Sequence, residues 1–198
     1  MIKCIIFDFD GVIINHFEKD FECFQKKYPN LTKDEFKIFF EGNFFIQANK
    51  LKERDNGFDG DECYNQHLKK TIIPNKAKEI IKELSKNYLL GIISSSPNEG
   101  LNICVNNSNL KENFSFVYGC DTHKLKLEKF KMVFENFNLK PEECVFVTDT
   151  LGDILESKKV SMKAIALENG YHERERLEKG NPWKIISSFE KLIETINK

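Results

Sequence analysis

Several features are scarce in this chain, and each scarcity excludes a class of protein. Only three of the 198 residues are arginine, so few side chains can hold an anion with two parallel hydrogen bonds. Lys+Arg 30 against Asp+Glu 31 leaves a net charge of -1, which lacks the basic excess typical of nucleic-acid binding. The apolar run at the N-terminus is broken by Lys3 and Asp8, so it resembles neither a signal peptide nor a membrane span.

Six cysteines are present, but they form no recognisable metal or redox motif. None belongs to a Cys-x-x-Cys pair, and no histidine lies at metal-ligand spacing from any of them. We therefore expect buried thiols in a reducing compartment, and so a cytoplasmic protein. The six are Cys4, Cys23, Cys63, Cys104, Cys120 and Cys144.

The most informative segment is an apolar run at residues 3–7 that ends in two aspartates and a glycine. Its Cys, Ile and Phe residues show no polar alternation, which indicates a strand buried on both faces. Asp8 and Asp10 follow that strand, two positions apart, so their carboxylates point in the same direction. Ligands bind at this end of the strands in open parallel sheets. Taken alone, Asp-x-Asp-Gly fits a polar turn about as well as a site.

Helical patterns fill residues 15–73. Phenylalanine and tyrosine recur at 4-3-4 spacing from residue 17 to residue 28, and Thr32 with Glu35 forms a capping box for the next helix. Further helix is expected over residues 47–54, and residues 55–61 form an acidic, glycine-containing loop that does not match a calcium-binding loop. The prediction is a small all-helical insert directly after the first strand.

From Pro74 onward, apolar strands alternate with amphipathic helices. Alternation of this kind predicts an α/β fold, a Rossmann-like doubly wound parallel sheet with helices on both faces. The predicted core comprises residues 1–14 and 74–198. The later strands are expected at residues 89–93, 116–119, 144–147, 163–167 and 185–186.

Polar residues follow three of the predicted strands. Ser94 follows the strand at 89–93, while Asp149 and Asp153 follow the strand at 144–147. Together with Asp8 and Asp10 they would share one rim of a parallel sheet. Crowded carboxylates need a cation, and an all-oxygen ligand set suits Mg²⁺.

The order and spacing of these motifs resemble the haloacid dehalogenase (HAD) superfamily of phosphotransferases. The resembling segments are Asp8-Phe-Asp-Gly-Val12, Ser94, Lys124 and Asp149-Thr-Leu-Gly-Asp153. The helical insert is similar to the C1 cap of that superfamily. Residues 124–130 resemble its Lys-Pro-x-Pro-x-x-Phe segment with both prolines replaced by leucine, and residues 170–182 resemble the C-terminal region of its phosphoglycolate phosphatase-like members.

The resemblance implies a role for each motif residue. Asp8 would attack phosphorus and become an aspartyl-phosphate, and Asp10 would act as general acid and base. Mg²⁺ would be held by Asp8, the backbone carbonyl of Asp10, and Asp149. Ser94 and Lys124 would bind the phosphoryl oxygens.

Three assignments have alternatives within the sequence. Ser95 and Ser96 compete with Ser94 as the phosphate-binding hydroxyl. Lys126 and Lys129 compete with Lys124, and only the alignment with the family segment favours Lys124. Without that alignment, all three would be interpreted as solvated lysines on a helix face. Asp153 is either an outer carboxylate that orients metal-bound waters or an acid in a first helical turn.

The resemblance favours a Mg²⁺-dependent phosphatase acting on a small phosphorylated metabolite. A β-phosphoglucomutase-like phosphoryl transferase is an alternative, and it would need a second phosphate site in the cap, for which Arg54 or a lysine is the candidate. A non-catalytic binding protein on the same scaffold is a third reading. The sequence names neither the substrate nor the oligomeric state.

Overall fold

In residues 1–197, which the computed structural model describes, parallel strands form a single six-stranded sheet in the order β3-β2-β1-β4-β5-β6. The order is that of a doubly wound fold: β2 and β3 are added on one side of β1, and β4, β5 and β6 on the other side. The strands are β1 (Cys4–Phe7), β2 (Leu89–Ile93), β3 (Phe116–Tyr118), β4 (Cys144–Thr148), β5 (Lys163–Leu167) and β6 (Lys184–Ile186). The predicted α/β class is therefore confirmed, and the predicted strands match the observed ones to within a residue or two.

Both faces of the sheet are buried, as the uninterrupted apolar run of β1 predicts. Ile5 and Phe7 face one hydrophobic core, and Cys4 and Ile6 face the other, because successive residues of a strand point to opposite sides. Helices cover both faces. They are α5 (Asn75–Leu84), α6 (Asn98–Asn107), α7 (Lys126–Asn136), α8 (Leu151–Lys159), α9 (Arg174–Glu178) and α10 (Leu192–Ile196).

Four helices lie between β1 and α5, and we call this segment, residues 17–68, the cap. They are α1 (Phe17–Lys27), α2 (Lys33–Phe39), α3 (Phe44–Ala48) and α4 (Gly60–Leu68). Helices α1, α2 and α3 share an aromatic core: the fully buried Phe36 packs on rings of α1, and Phe39 of α2 packs on Phe44 of α3. Helix α4 instead packs with Tyr64 and Leu68 into one of the two cores of the sheet. Thr32 and Glu35 form the expected capping box at the start of α2. The core residue Tyr171 also packs into this aromatic cluster.

The cap differs from the sequence prediction in two places. Residues Asn49–Arg54, expected as α-helix, form a 3₁₀-helix after the short α3. The acidic loop is shorter than expected, because α4 begins at Gly60, where the side chain of Asp59 accepts a hydrogen bond from the Glu62 N–H (2.8 Å). This short polar side chain satisfies a free N–H of the first turn and so starts the helix.

The cysteine prediction is wrong for two of the six residues. Cys23 of α1 and Cys63 of α4 form a disulfide, with their Cα atoms 5.7 Å apart. Cys4, Cys104 and Cys144 are buried free thiols, as expected, while Cys120 is only half-buried. Spacing along the chain carried no signal for the pair, since 40 residues separate the two cysteines and the contact arises only when α1 packs on α4. The expectation of a reducing compartment rested on six free thiols and loses that support.

Within the described residues, no helix is long and apolar enough to cross a membrane.

Candidate active site

The three central strands place polar residues at one rim of the sheet. Asp8 follows β1, Ser94 follows β2, and Asp149 follows β4. Phe7 of β1 pairs with Ile92 of β2 and Val147 of β4, so the strand ends lie side by side. The rim lies at the point where the strand order reverses, which is where open α/β sheets bind ligands.

Asp8 is nearly buried, and both of its carboxylate oxygens have partners. Oδ1 accepts a hydrogen bond from the Phe9 N–H (2.8 Å), and Oδ2 lies 2.9 Å from the Lys126 ammonium. Burial raises the pKa of Asp8 well above its ordinary value; Lys126 opposes that shift, and the nearby carboxylates of Asp153 and Asp149 add to it. A further positive charge would therefore favour the ionised form that a nucleophile requires.

The lysine beside Asp8 is Lys126, which corrects the assignment of Lys124 to this position. Lys126 Nζ also lies 2.7 Å from Asp153 Oδ2, and burial leaves the lysine only 4% exposed. Burial disfavours its charge, but Asp153 and Asp8 outweigh burial and raise the pKa of Lys126. Burial likewise opposes ionisation of Asp153, but the charge and hydrogen bond of Lys126 hold the pKa of Asp153 below its ordinary value.

The physical reason for the correction is the position at which α7 begins. Lys124 precedes the helix, is exposed, and lies over the ring of Phe45 in the cap. Lys126 and Lys129 lie on the buried face of α7 and are not solvated helix-face lysines. Lys129 Nζ donates to the carbonyl oxygens of Ser94 (2.5 Å) and Gly119 (3.1 Å) and so supports the loop after β2. Extending the Phe130 face of the helix back by four residues would have indicated Lys126.

Asp10 is held by hydroxyl groups from both the core and the cap. Ser96 Oγ donates to Asp10 Oδ2 (2.6 Å), and Ser94 Oγ lies 3.5 Å from the same oxygen. Tyr64 of α4 donates its hydroxyl to Asp10 Oδ1. The predicted serine, Ser94, therefore lies at the rim, and Ser96 makes the closer contact with Asp10.

Asp149 provides the observation on which a metal site can be tested. Its Oδ2 accepts a hydrogen bond from the Tyr171 N–H (2.6 Å), whereas its buried Oδ1 has no hydrogen-bond partner in the described part of the chain. Gly11 and Gly170 lie against this carboxylate, and a Cβ at either position would overlap it. Burial raises the pKa of Asp149 to about 8, although the Tyr171 N–H opposes the shift.

The residues present fit a hard divalent cation. One carboxylate oxygen is unpaired, and the neighbouring carboxylates repel each other. A cation would stabilise both features. Residues 1–197 contain no metal-binding group of three or more His, Cys, Asp or Glu side chains. Two carboxylates, Asp8 and Asp149, with one backbone carbonyl suit Mg²⁺, which retains several waters and binds few protein ligands.

The cap closes the site into a cavity of about 50 Å³. Space on this scale holds a few waters, so the closed form admits only a small molecule. The lining residues are Asp8, Asp10, Asp20, Phe24, Phe40, Gly42, Asn43, Phe44, Asp61, Tyr64, Ser94, Ser95, Ser96, Pro97, Lys126, Thr150, Asp153, Glu156 and Tyr171. Lys124 is not among them.

Direct contacts hold the cap on the core. The Gly152 N–H at the start of α8 donates to the Phe40 carbonyl (2.8 Å), and Gly152 packs so closely on Gly42 that a side chain would not fit. Asn43 donates its side-chain amide to Glu156 (3.0 Å) and to the Lys124 carbonyl (3.2 Å). These contacts fix the position of the cap over the site.

Sequence reasoning missed Tyr64, Tyr171 and Asp20, and it gave Ser96 only as an alternative to Ser94. Tyr171 connects the two halves of the site, because its N–H holds Asp149 and its hydroxyl donates to Asp20 of α1 (3.0 Å). Ser96 follows Ser94 by two positions, so the strand-end serine run pointed to it. Nothing in the spacing of the cap pointed to Tyr64 or Asp20, since each reaches the site only through the packing of its helix.

Comparison with known proteins identifies the family. The family model for haloacid dehalogenase-like hydrolases matches residues 5–167, and the chain belongs to that family. A phosphoglycolate phosphatase from Photorhabdus laumondii is 30% identical over 125 residues, which cover 61% of this chain and 53% of that protein. The chain thus matches about half the length of that relative. Pyrophosphatase PpaX from Bacillus mycoides is 25% identical, and the match covers 100% of this chain and 98% of that protein.

Solved structures share the fold across the whole chain. A hydrolase from Pseudomonas syringae superposes with a TM-score of 0.80 at 16% identity and covers 98% of each chain. A β-phosphoglucomutase from Clostridium difficile superposes with a TM-score of 0.78 at 18% identity, covering 100% of this chain and 96% of its own. At such identities the likeness concerns the fold alone.

Proposed function

We propose that this protein is a Mg²⁺-dependent phosphatase that hydrolyses a small phosphomonoester through an aspartyl-phosphate. The observation that carries the proposal is the contact of Asp8 with the Lys126 ammonium (2.9 Å), with Asp10 held by hydroxyl groups at the same rim and the unpaired oxygen of Asp149 at the end of the neighbouring strand β4. Asp8, Asp10 and Lys126 line one cavity, and Asp149, a carboxylate suited to a metal, follows the neighbouring strand β4. Family membership supports a hydrolase, and the two relatives described above are named for phosphate-ester or pyrophosphate hydrolysis.

In the first step, an Asp8 carboxylate oxygen attacks phosphorus. The new bond joins Asp8 to the phosphoryl group, and the bond between phosphorus and the alcohol oxygen breaks. Asp10 donates its proton to the departing oxygen, so the alcohol leaves neutral. Tyr64 and Ser96 hold the Asp10 carboxyl group in a fixed orientation for this transfer.

In the second step, water attacks the aspartyl-phosphate. Asp10, now ionised, takes a proton from the water as the new oxygen–phosphorus bond forms. The bond between phosphorus and Asp8 breaks, which releases inorganic phosphate and regenerates the Asp8 carboxylate. Asp10 ends the cycle protonated, so protons balance over the two steps.

Lys126 and Ser94 are the groups we assign to the phosphoryl oxygens. Lys126 is fixed by two carboxylates and buried, so its charge acts in a medium that screens it little. Ser94 is 1% exposed and lines the cavity. Lys124 has no part in this mechanism.

The metal ligands we propose are Asp8, the Asp10 backbone carbonyl and Asp149. When bound, Mg²⁺ supplies positive charge to the phosphoryl oxygens and neutralises the clustered carboxylates. Asp153, held by Lys126 and by the Thr148 hydroxyl (2.7 Å), is placed to orient water around the ion.

The test is hydrolysis of an aryl phosphate with and without Mg²⁺. Wild-type protein is expected to turn over the ester in Mg²⁺ and to lose activity on chelation, with recovery when Mg²⁺ is restored. Asp8→Asn is expected to lower kcat by about 10⁴-fold or more, while Asp34→Asn, an exposed aspartate on α2, leaves it unchanged. Equal turnover by wild type and Asp8→Asn would overturn the proposal.

A further inference from the structure

The wall of the active-site cavity is strongly acidic. Six carboxylates line it, and the only lysine or arginine among its described lining residues is Lys126. Lys126 is already paired with Asp8 and Asp153. The six carboxylates are Asp8, Asp10, Asp20, Asp61, Asp153 and Glu156.

Three of these carboxylates have no part in the proposed chemistry, and two of the three belong to the cap. Asp8, Asp10 and Asp153 belong to the reaction centre, and Glu156 accepts hydrogen bonds from Asn43 (3.0 Å) and the Leu127 N–H (3.0 Å). Asp20 and Asp61 of the cap remain, and neither forms an ion pair with any residue between 1 and 197. Asp61 is exposed at the mouth, whereas Asp20 is buried.

Asp20 is the more informative of the two. It is 7% exposed, and its Oδ2 accepts a hydrogen bond from the Tyr171 hydroxyl (3.0 Å). A buried carboxylate without a cation is unfavourable, and burial accordingly raises the pKa of Asp20. A side chain of this kind facing an enclosed cavity indicates that its partner comes from the ligand.

Aromatic rings surround the same part of the cavity. Phe24, Phe40, Phe44, Tyr64 and Tyr171 all line it. The faces of aromatic rings attract cations, and an ammonium group removed from water gains most from such contacts. Aromatic residues lining a cavity that also holds a buried carboxylate suit an ammonium group better than an anion.

We propose that the substrate is a small phosphomonoester whose alcohol carries an ammonium group, bound by Asp20 among the aromatic side chains of the cap. The inference rests on the proposed phosphatase function and assigns the substrate class of the same site. The phosphate end lies at Asp8 and Lys126, and the cationic end lies toward α1.

The same wall disfavours substrates with a second negative group. A carboxylate or a second phosphate would face Asp20 and Asp61 with no unpaired lysine or arginine among the described lining residues. Arg54, the candidate for a second phosphate site, pairs with Glu35 (2.9 Å) and does not line the cavity. Two relatives are named for phosphoglycolate and pyrophosphate, and a mutase substrate carries two phosphates. The second negative group of each of these molecules would find no unpaired lysine or arginine among the described lining residues.

Three esters of nearly equal size test the inference, because they differ in the charge of the remote group. They are 2-aminoethyl phosphate, 2-hydroxyethyl phosphate and 2-phosphoglycolate, assayed with Mg²⁺ beside an aryl phosphate. The value of kcat/KM is expected to fall in that order, with the amino ester about 100-fold above phosphoglycolate. A ratio of amino to hydroxy ester at or below one overturns the inference, as does phosphoglycolate equal to or better than the amino ester.

Asp20→Asn keeps the size of the side chain and removes its charge. We expect the ratio of kcat/KM for the amino ester to that for the hydroxy ester to fall about tenfold or more, whereas Asp34→Asn leaves the ratio unchanged. Because the ratio is taken within one variant, a loss of folded protein cancels. An unchanged ratio in Asp20→Asn overturns the role of Asp20. Failure of all esters, including the aryl phosphate, overturns the proposed function instead.

Discussion

The rim of the sheet and the cap meet at one cavity, but their polar residues are placed by different means. At the rim, Asp8 and Asp149 follow directly from paired strands whose registers align their ends. In the cap, Tyr64 and Asp20 reach the cavity from helices α4 and α1, which pack on each other and are joined by a disulfide.

The two regions also differ in the charge they offer a substrate. The rim combines carboxylates with Lys126 and a predicted metal ion, so it suits a phosphate. The cap adds aromatic rings and two carboxylates without ion pairs among the described residues, so it suits a neutral or cationic group. We infer that the rim determines the reaction and that the cap determines the substrate. The following predictions test that division, from the largest expected effect to the smallest.

The two candidate lysines give the largest contrast. Lys126→Ala is expected to lower kcat for an aryl phosphate by about 10²- to 10³-fold, because it removes the buried charge beside Asp8. Lys124→Ala is expected to change kcat by less than about threefold, since Lys124 lies outside the cavity. Steady-state kinetics on both variants, with thermal unfolding to confirm that they fold, would check this. Comparable losses in the two variants would contradict the assignment.

Opening the disulfide is expected to destabilise the cap. Cys23 and Cys63 close a loop with a separation of 40 residues, so reduction or Cys63→Ser should cost about 3 to 4 kcal/mol of unfolding free energy. Urea unfolding with and without reductant measures this, and Cys120→Ser, at a half-buried free cysteine, serves as control. Thiol titration of the denatured, unreduced protein should find the four free cysteines, Cys4, Cys104, Cys120 and Cys144. A count of six would contradict the pairing.

The Tyr64 hydroxyl tests whether the cap contributes to proton transfer at the rim. Tyr64→Phe is expected to lower kcat for an alkyl phosphate by about tenfold, because Asp10 loses one of the hydroxyls that orient it. The loss should be smaller for a nitrophenyl ester, whose leaving group needs little protonation. Tyr88→Phe, which removes a hydroxyl bonded to Asn197 at the surface, is the matched control. Equal losses with both esters would show that Tyr64 acts on structure alone.

Asp20→Asn is expected to stabilise the protein in a pH-dependent manner. Burial, with Asp10 and Asp61 nearby, raises the folded-state pKa of Asp20 above its unfolded value, and Tyr171 opposes the shift. Folded protein therefore retains a proton that unfolded protein has released. The cost to the wild type is absent below about pH 4 and grows as pH rises toward the folded-state pKa.

The gain in Tm from Asp20→Asn should accordingly be a few degrees near pH 7, which corresponds to about 1 kcal/mol in a chain of this size. It should disappear near pH 4. Thermal unfolding across this range checks the prediction, with Asp34→Asn expected to show no such trend. A gain that is constant with pH would contradict the buried, unpaired state of Asp20.

The sequence by itself determined the sheet and the rim. A strand has a side-chain period of two and a definite end, so the apolar runs located β1, β2 and β4 and placed Asp8, Ser94 and Asp149 at their carboxyl ends. The alternation of strands and helices along the chain and the helical segment after β1 followed from the same patterns.

Only the tertiary structure decided which lysine meets Asp8, which cap residues enter the cavity and which cysteines pair. Each depends on where a helix begins and how it rotates about its axis, and a shift of one residue turns a side chain by about 100°. Lys126 is the first residue of α7 and faces the core, whereas Lys124, two residues earlier, precedes the helix and is exposed. Asp20, Tyr64 and the Cys23–Cys63 pair depend on the packing of α1 against α4, to which spacing along the chain gives no guide.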